Sequence, residues 1–162
     1  SYNHPSPLTK KDPMSYGLIF HKVIEDSLVV PDLNIMKTHP LIQTLNAESR
    51  KRMLSSIDKI TNNQKFCNLV KKDFYTEISI GTKEEELTKE GRIDLMVIKN
   101  SEVIIIDYKS DINPPNNTQK IPKSYKNQLN FYKNITQTLY PKKDIITMIL
   151  WLENGNLMEV SE

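Results

Sequence analysis

Two short segments of this chain put charged side chains where apolar strand residues would be expected. The stretch Val103-Ile104-Ile105-Ile106-Asp107-Tyr108-Lys109 is rich in β-branched residues and reads as a strand. The two-residue period of a strand places Asp107 and Lys109 on one face, level with Ile105. A carboxylate on a core-like face needs a cation or hydrogen-bond donors. Lys109 supplies one cation, and a divalent metal would supply a stronger one. On these two residues alone an Asp-Lys ion pair is the simpler account, because the triplet Asp-x-Lys arises by chance in many chains.

The preceding segment changes that balance. Gly91-Arg92-Ile93-Asp94-Leu95-Met96-Val97 also reads as a strand, and a tight hairpin at Asn100-Ser101 pairs it with the first. A second carboxylate, Asp94, then lies beside Asp107. Like charges brought together are destabilising unless a cation bridges them, and hard divalent cations prefer this oxygen coordination. A lysine two residues from one of the acids completes a hydrolytic set. The metal polarises a phosphate and acidifies water, while the lysine orients that water or stabilises charge on phosphoryl oxygens.

The flanking pattern supplies elements to position these groups. Ser15 suits an N-cap, and Ile19, Phe20, Val23, Ile24 and Leu28 recur at helical spacing, predicting an amphipathic helix over Tyr16 to Leu28 ended by Pro31. Met53, Ile57 and Ile60 form a second stripe, so a helical insert is expected to run to about Lys72. Strands are predicted at Phe74 to Ile80, Arg92 to Lys99, Val103 to Lys109 and Ile145 to Leu152. A last strand over Leu157 to Val160 follows an Asn154-Gly155 turn. A polar loop through Pro114 and Pro115 precedes a helix from about Pro122 to Leu139, stopped at Tyr140-Pro141. The expected fold class is α/β, a mixed central sheet flanked by helices, with the helical insert after the first helix.

A chain of 162 residues suits one domain, read as residues 16–162 behind an extended arm over 1–15 that contains Pro5, Pro7 and Pro13. No apolar run approaches the roughly 20 residues needed to span a bilayer, so no membrane role is expected. The start Ser-Tyr-Asn-His-Pro carries neither an initiator Met nor a signal pattern, which suggests excision from a longer polypeptide or trimming. The single cysteine, Cys67, is expected as core filler in a cytoplasmic protein, and it excludes an internal disulfide or a four-cysteine cluster. A net charge of +2 is too small to argue for nucleic acid by itself. The run Glu84-Glu85-Glu86 reads as a solvated loop.

Gly91-Arg-Ile-Asp94 followed by Ile-Ile-Asp107-Tyr-Lys109 resembles the core motif of PD-(D/E)XK nucleases of the RecB type. Two further segments fit that resemblance in order: Gly17-Leu-Ile-Phe-His21 on the first helix, and Gln128-Leu-Asn-Phe-Tyr132 on the last. It implies a restriction-endonuclease-like core with Asp94, Asp107 and Lys109 catalytic. The implied metal ligands are His21, Asp94, Asp107 and the backbone carbonyl of Tyr108, holding Mg²⁺ or Mn²⁺. Gln128 and Tyr132, one helical turn apart, are implied to contact DNA, although Tyr132 also suits a core stripe with Leu129 and Ile135. Glu77 falls where related nucleases carry a strand glutamate that supports the site. A surface role fits Glu77 equally, and Glu25 is a weaker candidate to orient His21. Within the family the chain most resembles the C-terminal nuclease domain of AddA-type helicase-nucleases. That resemblance implies DNA double-strand-break repair or recombination, a helicase domain in the same polypeptide and a second helicase-nuclease subunit. Branches with an iron–sulfur cluster are excluded by the cysteine count.

Lys120, Lys123, Lys126 and Lys133 surround the last motif, with Tyr125, Phe131 and Tyr132 among them. Such a mixture suits a nucleic-acid strand, and equally a solvated helix face over buried aromatics. The function expected from the sequence is metal-dependent hydrolysis of DNA phosphodiesters. The rival readings are a catalytically silent DNA-binding module of the same fold and a protein-interaction domain, and the intact Asp-Asp-Lys set argues against both.

Overall fold

The structure, a computed structural model, describes residues 14–161 except 31, 72, 85 and 86, and no side chain from 84 to 89. The expected arm, Pro31, Lys72 and Glu85-Glu86 therefore lie outside the described residues, apart from Met14 and Ser15. The first helix, α1 (Tyr16–Leu28), begins as its sequence predicts, with the Ser15 hydroxyl accepting from the Leu18 amide at 3.2 Å. The insert holds two 3₁₀ turns (Leu33–Thr38 and Pro40–Thr44), α2 (Ala47–Thr61) capped by Asn46, and the short α3 (Gln64–Leu69). Helix α4 covers Lys123–Leu139.

Five strands form one sheet in sequence order: β1 (Phe74–Glu84), β2 (Leu87–Ile98), β3 (Glu102–Lys109), β4 (Asp144–Trp151) and β5 (Asn156–Glu159). Neighbours are antiparallel except β3 and β4, which run parallel because α4 carries the chain back across the sheet. Asn100 and Ser101 do form the predicted hairpin, closed by the Lys99 amide on the Glu102 carbonyl at 2.9 Å. Asn154 and Gly155 belong to a longer turn than expected, because β4 stops at Trp151 and β5 starts at Asn156. The β1–β2 pair also outruns its prediction: Gly81, Thr82, Lys83 and Glu84 continue β1, so the loop reading fails at Glu84. Polar residues on both sides of a ribbon give no alternation to read, and its backbone ladder carries it instead.

Helices cover both faces, each over its own apolar layer. Helices α1 to α3 pack on Leu95, Val97, Ile104, Ile106, Tyr108, Met148 and Leu150. Helix α4 lays Leu129 and Tyr132 on Ile93, Met96, Val103, Ile105, Ile149 and Trp151. Along β3 and β4 the alternation between layers is strict, as sheets buried on both faces require. Burying each large aliphatic side chain stabilises by about 1.5–3 kcal/mol, so these layers fix the register that aligns the charged groups at the ends of β2 and β3. Cys67 is half-buried at the margin of the insert rather than in the core, where Phe66 and Leu69 point instead.

Candidate functional site

The β2–β3 ladder runs from Ile98 opposite Val103 to Leu95 opposite Ile106, and there its paired register ends. The next pair would set Asp94 against Asp107. Strand β3 stays bonded to β4 as far as Lys109 opposite Trp151, so only one side of it is released. The Tyr108 amide beyond the last β2 rung donates to Asp94 Oδ2 at 2.7 Å. A carboxylate thus replaces a backbone acceptor at the point where the strands part.

The same level carries a change of face. Leu95 and Val97 belong to the α1 layer, yet Ile93 belongs to the α4 layer; Phe74 and Ile78 on β1 differ in the same way. The β1–β2 pairing skips from Thr76 opposite Leu95 to Ile78 opposite Ile93, leaving Glu77 and Asp94 between these rungs, and Glu77 has a φ of 53°, left-handed backbone that a non-glycine residue seldom adopts. This twist turns Asp94 between the two layers. It can then meet His21 from α1 on one side and Asp107 from the α4 side of β3 on the other.

His21 is set by its own helix. Its Nδ1 lies 2.8 Å from the Gly17 carbonyl, which can only accept, so Nδ1 carries a proton and Nε2 is left facing Asp94 Oδ2 at 3.5 Å. Gly17 serves twice, since a Cβ there would stand 2.8 Å from Ser110 Oγ and hold the helix away from the end of β3. Burial disfavours the imidazolium, but the hydrogen bond and charge of Asp94 outweigh it and raise the pKa of His21. Two lone pairs, from Nε2 and the carboxylate, face each other unless a proton or a metal ion stands between them.

Asp107 is 3% exposed and Asp94 8%, so two acids share one nearly dry site. Burial first, and the Asp94 charge second, push the Asp107 pKa up to about 7 against the opposing pull of Lys109. Lys109 Nζ lies 2.9 Å from Asp107 Oδ2. That contact is an ion pair, and among the described residues the buried oxygen has no other donor. The ammonium is directed elsewhere: it donates to Gln128 Oε1 at 2.8 Å, Gln128 Nε2 donates to the Tyr132 hydroxyl at 2.9 Å, and that hydroxyl donates to the Arg92 carbonyl at 2.9 Å.

The donor chemistry fits a divalent cation: two carboxylates, one with an undirected buried oxygen, and an imidazole whose Nε2 is free of other partners. The donors are not yet closed on an ion. Among the described residues no three His, Cys, Asp or Glu side chains are gathered into a chelating group, and Asp94 and Asp107 are held by Tyr108 N–H and Lys109. A metal would compete with those contacts.

Around this centre lie two connected openings. One, of about 280 Å³, is lined by His21, Asp94, Asp107, Tyr108, Asp111 and others. The second, a groove of about 830 Å³, runs between Glu90–Arg92 and α4 over Ser124, Asn127, Phe131 and Tyr132. Arg92, Lys109, Tyr125 and Gln128 line both.

His21, Asp94, Asp107, Tyr108, Lys109 and Gln128 thus come together as a cavity lining. Tyr132 is 2% exposed, its hydroxyl is bonded inside the protein, and its ring floors the groove. Gly91 makes room for that ring, since a Cβ there would stand 2.7 Å from Tyr132 Cε1. Glu77 is not a solvated edge residue: its side chain is 13% exposed and paired with Arg92. Burial, then the Asp94 charge, raises its pKa. Glu25 pairs with Lys22, and Gly17 rather than Glu25 orients His21. Lys123 and Lys126 open onto a separate cleft of about 460 Å³, and none of Lys120, Lys123, Lys126 and Lys133 lines either opening described above. Sequence reasoning gave no task to Arg92 or Asp111. Continuing the strand period past Lys109 would have reached Asp111.

The sequence pattern of the PD-(D/E)XK nuclease superfamily matches residues 4–159. The chain is 23% identical over 145 residues to the A subunit of the ATP-dependent helicase/nuclease of Ruminiclostridium cellulolyticum, covering 88% of this chain and 11% of that protein. It is 27% identical over 120 residues to the corresponding helicase/nuclease protein of Lacticaseibacillus casei, covering 74% of this chain and 10% of that one. It therefore spans about a tenth of the length of these curated relatives. Its fold is shared with a crystal structure from Eubacterium rectale provisionally described as an exonuclease, at a TM-score of 0.58 and 13% identity, over 94% of this chain and 61% of that one. Among the described residues no helix is long and apolar enough to cross a membrane.

Proposed function

This chain belongs to the PD-(D/E)XK nuclease superfamily, and from that premise we propose that it hydrolyses DNA phosphodiesters with a divalent cation, Mg²⁺ or Mn²⁺. The cation is held by His21, Asp94, Asp107 and the Tyr108 carbonyl. The observation that carries this reading is the pair of buried carboxylates at the end of the β2–β3 ladder, with Asp107 Oδ2 lacking a directed donor. Such a pair is costly unless a cation offsets its charge. A histidine among the oxygen ligands suits Mn²⁺ as well as Mg²⁺.

The bound cation supplies Lewis acidity toward a phosphate oxygen and toward water. Lys109, held by Gln128 beside Asp107, directs its charge at the phosphoryl group as a water oxygen bonds to phosphorus and the P–O bond to the leaving nucleotide breaks. Gln128 and Tyr132 act on DNA through this framework: one fixes the ammonium, the other floors the groove and holds the Arg92 backbone. We place residues 16–162 as one nuclease domain of a longer cytoplasmic helicase-nuclease in break repair or recombination, with a helicase domain in the same polypeptide and a second subunit. The likeness to the two helicase/nuclease proteins supports that placement.

The test is cleavage of an end-labelled oligonucleotide by the purified chain, with Mg²⁺, with Mn²⁺ and with a chelator. Cleavage only when metal is supplied supports the reading. DNA bound but uncut under every condition would instead favour a silent binding module.

A further inference from the structure

We propose that Tyr125 is a positioning residue for Lys109, its ring serving as the platform that aims the ammonium and Asp111 as the anchor of that ring. The inference rests on the nuclease reading for its catalytic consequence, though its geometry stands apart from it. Lys109 has three N–H bonds and a long flexible stem, and the Gln128 hydrogen bond and the Asp107 ion pair leave its third side unset. The Tyr125 ring restrains it. Its centroid lies 4.3 Å from Nζ, within the range where an ammonium is attracted to an aromatic face.

The ring is itself fixed from two directions. Its hydroxyl lies 2.9 Å from each oxygen of Asp111, and the ring packs at a 43° tilt on Trp151 with 6.1 Å between centroids. Trp151 is fully buried and stands opposite Lys109 in the β3–β4 register, so the ring, carried by α4, packs over the ends of both strands. Asp111 thereby has a partner of its own, which keeps a third carboxylate of the small cavity turned toward a phenol rather than toward the ammonium. Tyr125 also lines both openings, so the surface that supports Lys109 is part of the sill between the acidic cavity and the groove. A bystander tyrosine on a solvated helix face would not need an acid, a tryptophan and a lysine arranged around it.

The experiment compares Tyr125→Leu and Tyr125→Phe with the unmodified chain by two readouts, after circular dichroism has confirmed folding. The first is the NMR shift of the Lys109 ε-methylene, assigned by its loss in Lys109→Arg. It should be moved upfield by the ring current in the unmodified chain, be kept only in part in Tyr125→Phe, which retains the ring and loses its Asp111 anchor, and return toward the free-lysine position in Tyr125→Leu. The second is the single-turnover cleavage rate at saturating DNA and Mn²⁺. We expect about a tenfold fall in Tyr125→Leu, within the reach of one ammonium–ring contact, with DNA and Mn²⁺ affinities held, and an intermediate rate in Tyr125→Phe, which keeps the ring without its anchor. An ordinary ε-methylene shift in the unmodified chain, or a folded Tyr125→Leu cleaving at the unmodified rate, overturns the proposal. A chain that cleaves nothing defeats the nuclease reading, and the ε-methylene shift alone then decides this one.

Discussion

His21 and His39 lie at opposite stretches of the same helical layer, and each ring nitrogen has a partner that decides its role. His39 Nδ1 accepts the Leu41 amide at 3.1 Å, which puts the proton on Nε2 and directs it to Asp26 Oδ2 at 2.8 Å. That imidazole caps a 3₁₀ turn and ties it to α1; its hydrogen bond is also the main reason the Asp26 carboxyl sits below its usual pKa. His21 Nδ1 meets a carbonyl instead, so its proton points away from the acids and Nε2 faces them. One histidine is spent on structure, and the other is left with an acceptor facing a carboxylate. The group that meets Nδ1, an amide in one ring and a carbonyl in the other, decides which way the proton of each imidazole points.

The largest effect is expected at the charge that the two acids attract. Lys109→Ala should leave Mn²⁺ and DNA binding in place while single-turnover cleavage falls about a hundredfold or more, the scale of losing one electrostatic stabiliser. Cleavage at the unmodified rate would reduce Asp107 and Lys109 to a structural ion pair.

The two histidines should then fail differently. His21→Ala is expected to weaken Mn²⁺ by about tenfold or more, as loss of a ligand costs at least what loss of its supporting partner does, while the thermal midpoint stays close to the unmodified value. His39→Ala should keep Mn²⁺ affinity and lose about 1 kcal/mol of stability with its cap. Calorimetry and a denaturant melt on both variants read this out, and identical behaviour would erase the distinction.

Gly91→Ala probes the link between α4 and β2. The added methyl must displace the Tyr132 ring, so stability should fall by about 1–3 kcal/mol in urea, with cleavage reduced as the Arg92 and Gln128 contacts loosen. A variant as stable as the unmodified chain would mean the ring has room to move. The smallest effect is expected at Tyr108→Phe. Among the described residues the buried Tyr108 hydroxyl has no hydrogen-bond partner, so its removal should stabilise by up to about 1 kcal/mol, and a destabilised variant would reveal a partner for it.

Much of this layout was readable from the residues. Helical spacing gave α1 and α4 to within a residue, and β-branched runs gave β3 and β4, because their apolar faces are continuous. Asp94, Asp107 and Lys109 were visible as charges on such faces. The change of layer at Glu77 and Asp94 was not, because it depends on one left-handed φ that no side-chain pattern announces. The internal hydrogen bonds of Gln128 and Tyr132 were also hidden: spacing puts two residues on one helix face without saying what that face meets. Asp111 was missed because the strand reading stopped at Lys109, where the ladder to β4 also ends.

On the proposed function, Asp94 and Asp107 meet around a divalent cation. Titration calorimetry of Mn²⁺ into the unmodified chain and into Asp107→Asn, a substitution that keeps the shape and removes the charge, tests it most directly. The account predicts a binding heat in the first and its loss in the second, with both chains folded by circular dichroism. No heat in the unmodified chain, or equal heat in both, would contradict it.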